Sequence, residues 1–259
     1  MKYFDKFNLN LELEDGTTMS FKDIGLDASQ QAFGDFVLDV SFGETLSLCV
    51  ARQDGTDFGI TKVVYDFDLP LKNFNRFLVP DCGRYYNRWF TPLLSWGRTI
   101  SMIGGNHGNP FVAFMNHHDE AILAIGIIGS FVELGFTVTS PGRSVRNTLV
   151  VENGRFRFQL ARPLGNFSLG RVECFEESLF VTEGEISWFH ALRKYANTFY
   201  ELNGSDFEIL EEAFYPSWCS WVPWNSDDLD EEKILSNARV AKELGVGTII
   251  LDDGWYGPG

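Results

Sequence analysis

The sequence predicts a mainly β protein: an antiparallel β-sandwich followed by the opening β–α–β of a parallel α/β unit. Short alternating or apolar segments, punctuated by turn residues, run to about Glu183. Such a series, nearly free of helical period, fits facing antiparallel sheets. The 24 phenylalanines suit sheets that must fill a layer about 10 Å thick between them. Beyond Thr182 the period becomes helical, and Thr248-Ile249-Ile250-Leu251 reads as a parallel strand covered on both faces.

The first segment, Asn8 to Leu13, alternates with period two and meets Asp15-Gly16, a hairpin signal. Strands follow over Asp35 to Phe42, Thr45 to Ala51 before Asp54-Gly55, and Ile60 to Leu69. Four more are expected over Phe111 to Met115, Ala121 to Ile128, Phe131 to Thr139, and Arg155 to Leu160 after Asn153-Gly154. Thr182-x-x-Glu185 has the spacing of a capping box. Ile186, Phe189, Arg193, Ala196 and Tyr200 then recur at helical intervals, and Asn203-Gly204 closes that helix. An acidic connector, Ser205 to Glu212, leads into a strand over Ala213 to Trp221. A helix opened by Asp228 and Glu231 carries an apolar stripe of Ile234, Ala238, Ala241 and Leu244, and ends at Gly245. Two domains are expected, 1–207 and 208–259.

The 259 residues are ample for a sizeable core. A net charge of −15, from 21 Lys+Arg against 36 Asp+Glu, argues against nucleic acid, which requires a basic stripe, and against an anionic membrane surface. No apolar run approaches the roughly 20 residues of a membrane helix. The N-terminus lacks an apolar signal core, so the expected location is the cytoplasm. Cys49, Cys82, Cys174 and Cys219 are widely separated, with no C-x-x-C pair. They read as buried free thiols rather than a disulfide framework or zinc site. His117 and His118 are adjacent, a spacing that points side chains apart in a strand, and His190 belongs to a helical pattern. Nothing calls for a metal or a cofactor.

The aromatic stretch Tyr85 to Phe90, with Trp96 nearby, fits either a sugar-stacking platform or core packing. The sharper pattern lies near the C-terminus. Ser217-Trp218-Cys219-Ser220-Trp221 sits on the first parallel strand, and Leu251-Asp252-Asp253-Gly254-Trp255 finishes the second. In (β/α) barrels, chemistry is placed at the C-terminal strand ends. Adjacent acids within a strand point to opposite faces, but where the pleat breaks both can turn toward the barrel mouth. Carboxylates accept hydrogen bonds from hydroxyls, and indoles stack on the C–H face of a sugar, so the set describes a pyranose site. A helix cap for one aspartate and core packing for the tryptophans are the alternatives.

Pro216 to Trp221, then Asn237-Ala238 and Lys242-Glu243-Leu244-Gly245, then Ile250 to Trp255 resemble the opening of a family 36 glycoside hydrolase catalytic domain. This is the α-galactosidase family, related to family 27 and to the raffinose synthases. Trp188-Phe189-His190-Ala191-Leu192-Arg193 resembles the helix that precedes the barrel in these enzymes. The resemblance implies that the first domain is an N-terminal β-supersandwich and the second the start of a truncated (β/α)8 barrel. It further implies that Asp252 and Asp253 bind the 4- and 6-hydroxyls of a terminal galactose. Trp221 would line the same subsite, with Trp218 packing behind it. The partner would be a galactose-containing oligosaccharide, and the family raises the expectation of a homo-oligomer. Two departures stand out: the continuation Trp221-Val222-Pro223-Trp224-Asn225, and Tyr256 where many members carry a polar residue.

Enzymes of this kind retain configuration, using a nucleophile and an acid/base about 5–5.5 Å apart. The family places the nucleophile in a K-x-D motif on a later strand and the acid/base later still, so no catalytic residue is expected in this chain. A full barrel takes about 250 residues. The chain is therefore expected to be the first part of a longer enzyme, or a truncated product, inactive alone. Two other readings remain: a carbohydrate-binding or structural sandwich without catalysis, and a parent enzyme that transfers galactose as raffinose synthases do.

Overall fold

The computed structural model describes residues 3, 5–26, 30–70, 74–80, 90–92, 99–104, 110–129, 134–139, 142–145, 148–151, 154–163, 171–204, 210–224 and 229–255. The chain divides into two compact units, Met1–Gly204 and Ser205–Gly259. The first is built from β1 (Lys6–Leu13), β2 (Thr18–Gly25), β3 (Gln31–Phe33), β4 (Phe36–Phe42), β5 (Thr45–Arg52) and β6 (Phe58–Pro70). It continues through β7 (Arg76–Leu78), β8 (Phe90–Pro92), β9 (Thr99–Gly104), β10 (Phe111–Met115), β11 (Glu120–Ile127) and β12 (Leu134–Thr139). β13 (Gly142–Val145), β14 (Thr148–Val151), β15 (Arg155–Pro163), β16 (Arg171–Val172), β17 (Cys174–Ser187) and α1 (Trp188–Asn203) complete it.

These strands form two antiparallel sheets. One runs β2-β1-β6-β15-β12-β9, with β16 also on β6; the other runs β3-β4-β5-β17-β11-β10-β7-β8. β13 and β14 pair separately. The expected mainly β architecture is present. The core lies where the sheets face each other: Phe7, Phe21, Tyr65, Phe67, Phe114, Phe156, Phe158 and Phe175 are almost wholly buried there. Their rings meet edge-on or offset, as in Phe114–Phe158 at 5.1 Å and Phe67–Phe158 at 5.8 Å. These arrangements suit the ring quadrupole.

One charged bridge crosses this core. Glu177 on β17 accepts a hydrogen bond from the Tyr65 hydroxyl of the opposite sheet and pairs with the Arg162 guanidinium, also of that sheet. Burial pushes the Tyr65 phenol up and the Arg162 guanidinium down from their ordinary values. Desolvation disfavours the charged form of each.

The apolar run Ala121 to Ile128 has a second explanation beyond the sandwich. β10 and β11 are buried on both faces, because α1 covers the side away from the sheet partner. Leu78, Phe111, Ala113, Ala124, Phe180, Ala191 and Tyr195 form that outer layer. Tyr195 donates its hydroxyl to the Ile127 carbonyl at 2.8 Å. A Cβ on Gly126 would lie 2.7 Å from the Tyr195 ring, so the absence of a side chain there sets how closely the helix approaches.

The structure corrects several expectations. β17 extends to Ser187, so Thr182 is buried in a strand and caps nothing. Ser187 caps α1 instead, its Oγ accepting from the His190 amide. The consecutive acids Glu176-Glu177 hide the strand alternation, which is why β17 escapes a pattern search. The face of α1 on the sheet is Trp188, Ala191, Leu192, Tyr195 and Phe199; Phe189 and Tyr200 are exposed. The sheet selects the residues C-terminal to Ser187 that project toward it, a choice the periodicity could not register. Gly204 ends the helix as expected, its amide donating to the Tyr200 carbonyl.

His117 and His118 occupy the turn between β10 and β11. The Asn116 carboxamide oxygen there accepts from the His118 and Glu120 amides. Cys49 and Cys174 are joined as a disulfide between β5 and β17, with Cα atoms 6.3 Å apart. A sequence separation of 125 residues conceals this pair. Cys219 is free. Cys82, Tyr85 to Trp89, Trp96 and Asp228 lie outside the described residues.

Candidate functional site

The second unit opens with a short 3-10 turn at Glu211–Phe214 and continues as β18 (Ser217–Cys219). It proceeds through α2 (Trp221–Trp224) and α3 (Glu231–Glu243) to β19 (Thr248–Ile250). The strand expected over Ala213 to Trp221 is thus much shorter: Ala213 lies in the turn, and Trp221 opens a helix. α3 begins at Asp230, whose carboxylate accepts from the Lys233 amide at 2.8 Å, satisfying an orphan donor of the first turn. Of its expected stripe, Ala241 is buried and Ile234 and Ala238 are half-buried, whereas Leu244 is exposed. Gly245, at φ +80°, takes the left-handed conformation that ends the helix.

β18 and β19 pair in parallel, Ser217 with Thr248, Trp218 with Ile249 and Cys219 with Ile250. The Ser220 amide extends the ladder by donating to the Ile250 carbonyl at 3.0 Å. Both strands therefore end at one level. The next residues on each carry the candidate chemistry: Ser220 and Trp221 after β18, Asp252 and Asp253 after β19.

Asp252 is held from three sides. Its amide donates to Ser220 Oγ at 2.9 Å, and Ser220 is fully buried. Its Oδ2 accepts from the Cys219 thiol at 3.2 Å, and its Oδ1 from the Asp253 amide at 2.8 Å. The Asp253 amide, with the Cys219 thiol second, holds the Asp252 carboxyl below the usual carboxylate range, because both bonds favour the charged form. An ionised carboxylate has about four acceptor directions, and these two bonds leave roughly half of them for other donors. Asp252 is half-buried and Asp253 exposed. Gly254, at φ +95°, makes an abrupt bend after the acid pair. Trp221 is half-buried and leaves the same strand end one residue beyond Ser220; Trp218 is half-buried and Trp255 exposed.

The residues that sequence reasoning passed over are Cys219 and Ser220. Their side chains orient Asp252 from the neighbouring strand. Strand pairing brings them there, and only their position next to Trp221 hints at it.

No protein-family model matches the chain. A stretch of 30 residues is 57% identical to α-galactosidase AgaA of Geobacillus stearothermophilus, covering 12% of this chain and 4% of that protein. Among solved structures, the GH36 α-galactosidase AgaB of Geobacillus stearothermophilus aligns over 95% of this chain and 39% of its own. The TM-score is 0.47 and the identity 15%. AgaA A355E of the same organism, in complex with 1-deoxygalactonojirimycin, aligns over the same shares with a TM-score of 0.45 and 15% identity. The α-galactosidase of Lactobacillus brevis aligns over 95% of this chain and 38% of its own, with a TM-score of 0.41 and 15% identity. The chain spans about two fifths of the length of these three structures.

Proposed function

We propose that this chain supplies the β-sandwich and the galactose-recognition corner of a retaining glycoside hydrolase acting on terminal α-galactosides. The observation that carries this reading is the ionised, pre-oriented Asp252 carboxylate at the C-terminal ends of two parallel strands, where barrel enzymes bring substrate. Asp252 and Asp253 accept hydrogen bonds from sugar hydroxyls, and Trp221 offers a flat face beside them. The two acids are adjacent, one of them already committed to the Asp253 amide and the Cys219 thiol, so they serve recognition and not the acid/nucleophile division of labour. β18 and β19 are read as the first two strands of a (β/α)8 barrel, within a second domain of 208–259. The inhibitor bound by AgaA A355E agrees with a galactose-like ligand.

Saturation-transfer NMR with galactose tests the assignment. Binding to the unaltered chain is expected, with at least about tenfold weakening for Asp252→Asn and for Asp253→Asn, since each loses a charge-assisted hydrogen bond. Equal binding by both variants refutes it. The same chain is expected to leave an aryl α-galactoside uncleaved, because the resemblance assigns nucleophile and acid/base to later strands; steady turnover would overturn that division. Saccharide binding that survives deletion of residues 208–259 would instead make the sandwich a carbohydrate-binding module. Product analysis with sucrose as acceptor separates hydrolysis from transfer in any active longer form.

A further inference from the structure

The face of the second sheet that α1 leaves open carries a second chemical grouping. Strand register sets Asp39 of β4 beside Cys49 of β5, and Cys49 beside Glu176 of β17. The alternation of each strand turns these three away from the inter-sheet core, where Leu38, Leu48 and Phe175 point instead. Cys174, two residues from Glu176 on β17, completes the group. The sulfurs of Cys49 and Cys174 and a carboxylate oxygen of Glu176 all lie within 4.8 Å of one another. A recess of about 690 Å³ is lined by Asp39, Cys49 and Glu176, together with Arg162 and Glu177 of the charged bridge and Asn203 at the end of α1.

We propose that this face is a redox-gated site for a soft divalent metal, with Zn²⁺ as the fitting ion. Reduced Cys49 and Cys174, together with Glu176, are its ligands, and the disulfide is its metal-free state. Two thiolates and a carboxylate form a donor set that zinc takes, with the fourth tetrahedral position open toward the recess. Two thiolates formed here face the carboxylates of Glu176 and Asp39, on a chain already carrying −15. Like charges disfavour that state, and a divalent cation relieves it. The ligands stand on paired strands, so register rather than loop closure pre-organises them.

The chemistry balances with a small-molecule dithiol as reductant. The S–S bond breaks, the two thiol hydrogens of the reductant pass to Cys49 and Cys174, and the reductant leaves as its own cyclic disulfide. Metal entry then expels the two cysteine protons.

The test uses the full 259-residue chain, reduced and then desalted without oxygen. Titration with Co²⁺ reads thiolate ligation as a charge-transfer absorption band, and Zn²⁺ should displace it. One cobalt per chain and two protons released per metal are expected, with no such band for the oxidised chain. Glu176→Gln, an exposed change that keeps both sulfurs, should weaken binding at least tenfold. Cys49→Ser and Cys174→Ser should abolish the band, and Cys219→Ser should leave it intact. A reduced chain without the band overturns the proposal. So does a band that survives Cys49→Ser and Cys174→Ser, which would assign the metal to Cys82 and Cys219. The oxidised-against-reduced comparison and Glu176→Gln decide the matter even if a cysteine variant fails to fold.

Discussion

The two units treat apolar residues in opposite ways. In the first, Phe7, Phe67, Phe114 and Phe158 vanish between facing sheets, and even the outer surface of β10 and β11 is roofed by α1. In the second, Leu235, Val240, Leu244, Ile250, Leu251 and Trp255 are all exposed, Leu244 to 77%. The lesson concerns architecture more than composition. Two antiparallel sheets bury each other's inner faces within one unit, whereas a parallel strand pair with a crossover helix covers little beyond the helix–sheet contact. The candidate site sits in the unit with less internal support, and the hydrogen bonds from Cys219 and Asp253 take the place of packing in fixing Asp252.

The contrast can be broken most forcefully at the charged bridge. Glu177→Ala should cost about 3–5 kcal/mol, because it strands the buried Arg162 guanidinium; urea unfolding followed by circular dichroism measures it. A loss below about 1 kcal/mol would mean that the sandwich interior is wetter than its burial implies. Next comes Gly126→Ala, which forces a methyl against the Tyr195 ring and should cost about 1–3 kcal/mol, with α1 amides exchanging faster. Ser187→Ala removes the cap of α1 and should cost about 0.5–2 kcal/mol in the same unfolding experiment. Asp230→Ala removes the matching cap of α3, and its effect should appear as faster amide exchange confined to α3, leaving the sandwich transition unmoved. A shift of the sandwich transition by Asp230→Ala would show that the two units unfold together.

The smallest effect concerns pH. The Asp252 carboxyl is depressed in the folded chain, so its stabilising contribution is complete above the unfolded carboxylate value. That contribution disappears as pH falls through the lower folded value. Between pH 5 and 8 it should stay constant. A carboxyl-carbon NMR titration should place the Asp252 midpoint below that of an unperturbed aspartate, and Cys219→Ala should move it back upward.

Much of this was readable from residues alone, for reasons specific to each. The β1–β2 hairpin announces itself through clean alternation and Asp15-Gly16, whose glycine adopts φ +81°. The parallel pairing of β18 with β19 follows from an apolar strand on either side of a capped helix. β17 was illegible because Glu177 faces inward, a placement that becomes favourable only when Arg162 and Tyr65 arrive from the other sheet. The Cys49–Cys174 pairing likewise depends on register between strands far apart in sequence. At the candidate site the acid pair and Trp221 stand out as motif residues, while the support of Asp252 by Cys219 and Ser220 exists only once two strands are aligned.

The consecutive glutamates of β17 show that chemistry alone does not assign a residue to a face. Glu176 and Glu177 are chemically identical, and the sheet tells them apart by position alone. Sliding β17 by a single residue would carry Cys174, Glu176 and Ser178 inside and turn Phe175, Leu179 and Val181 out. In one direction the slip sets Ser178 opposite Arg162, but in the other it sets Glu176 there, so the bridge by itself does not exclude it. The apolar set therefore fixes alignment: turning Phe175, Leu179 and Val181 out of the core makes the nearest wrong pairing of a fourteen-residue strand an isolated, high-energy alternative rather than a neighbouring one.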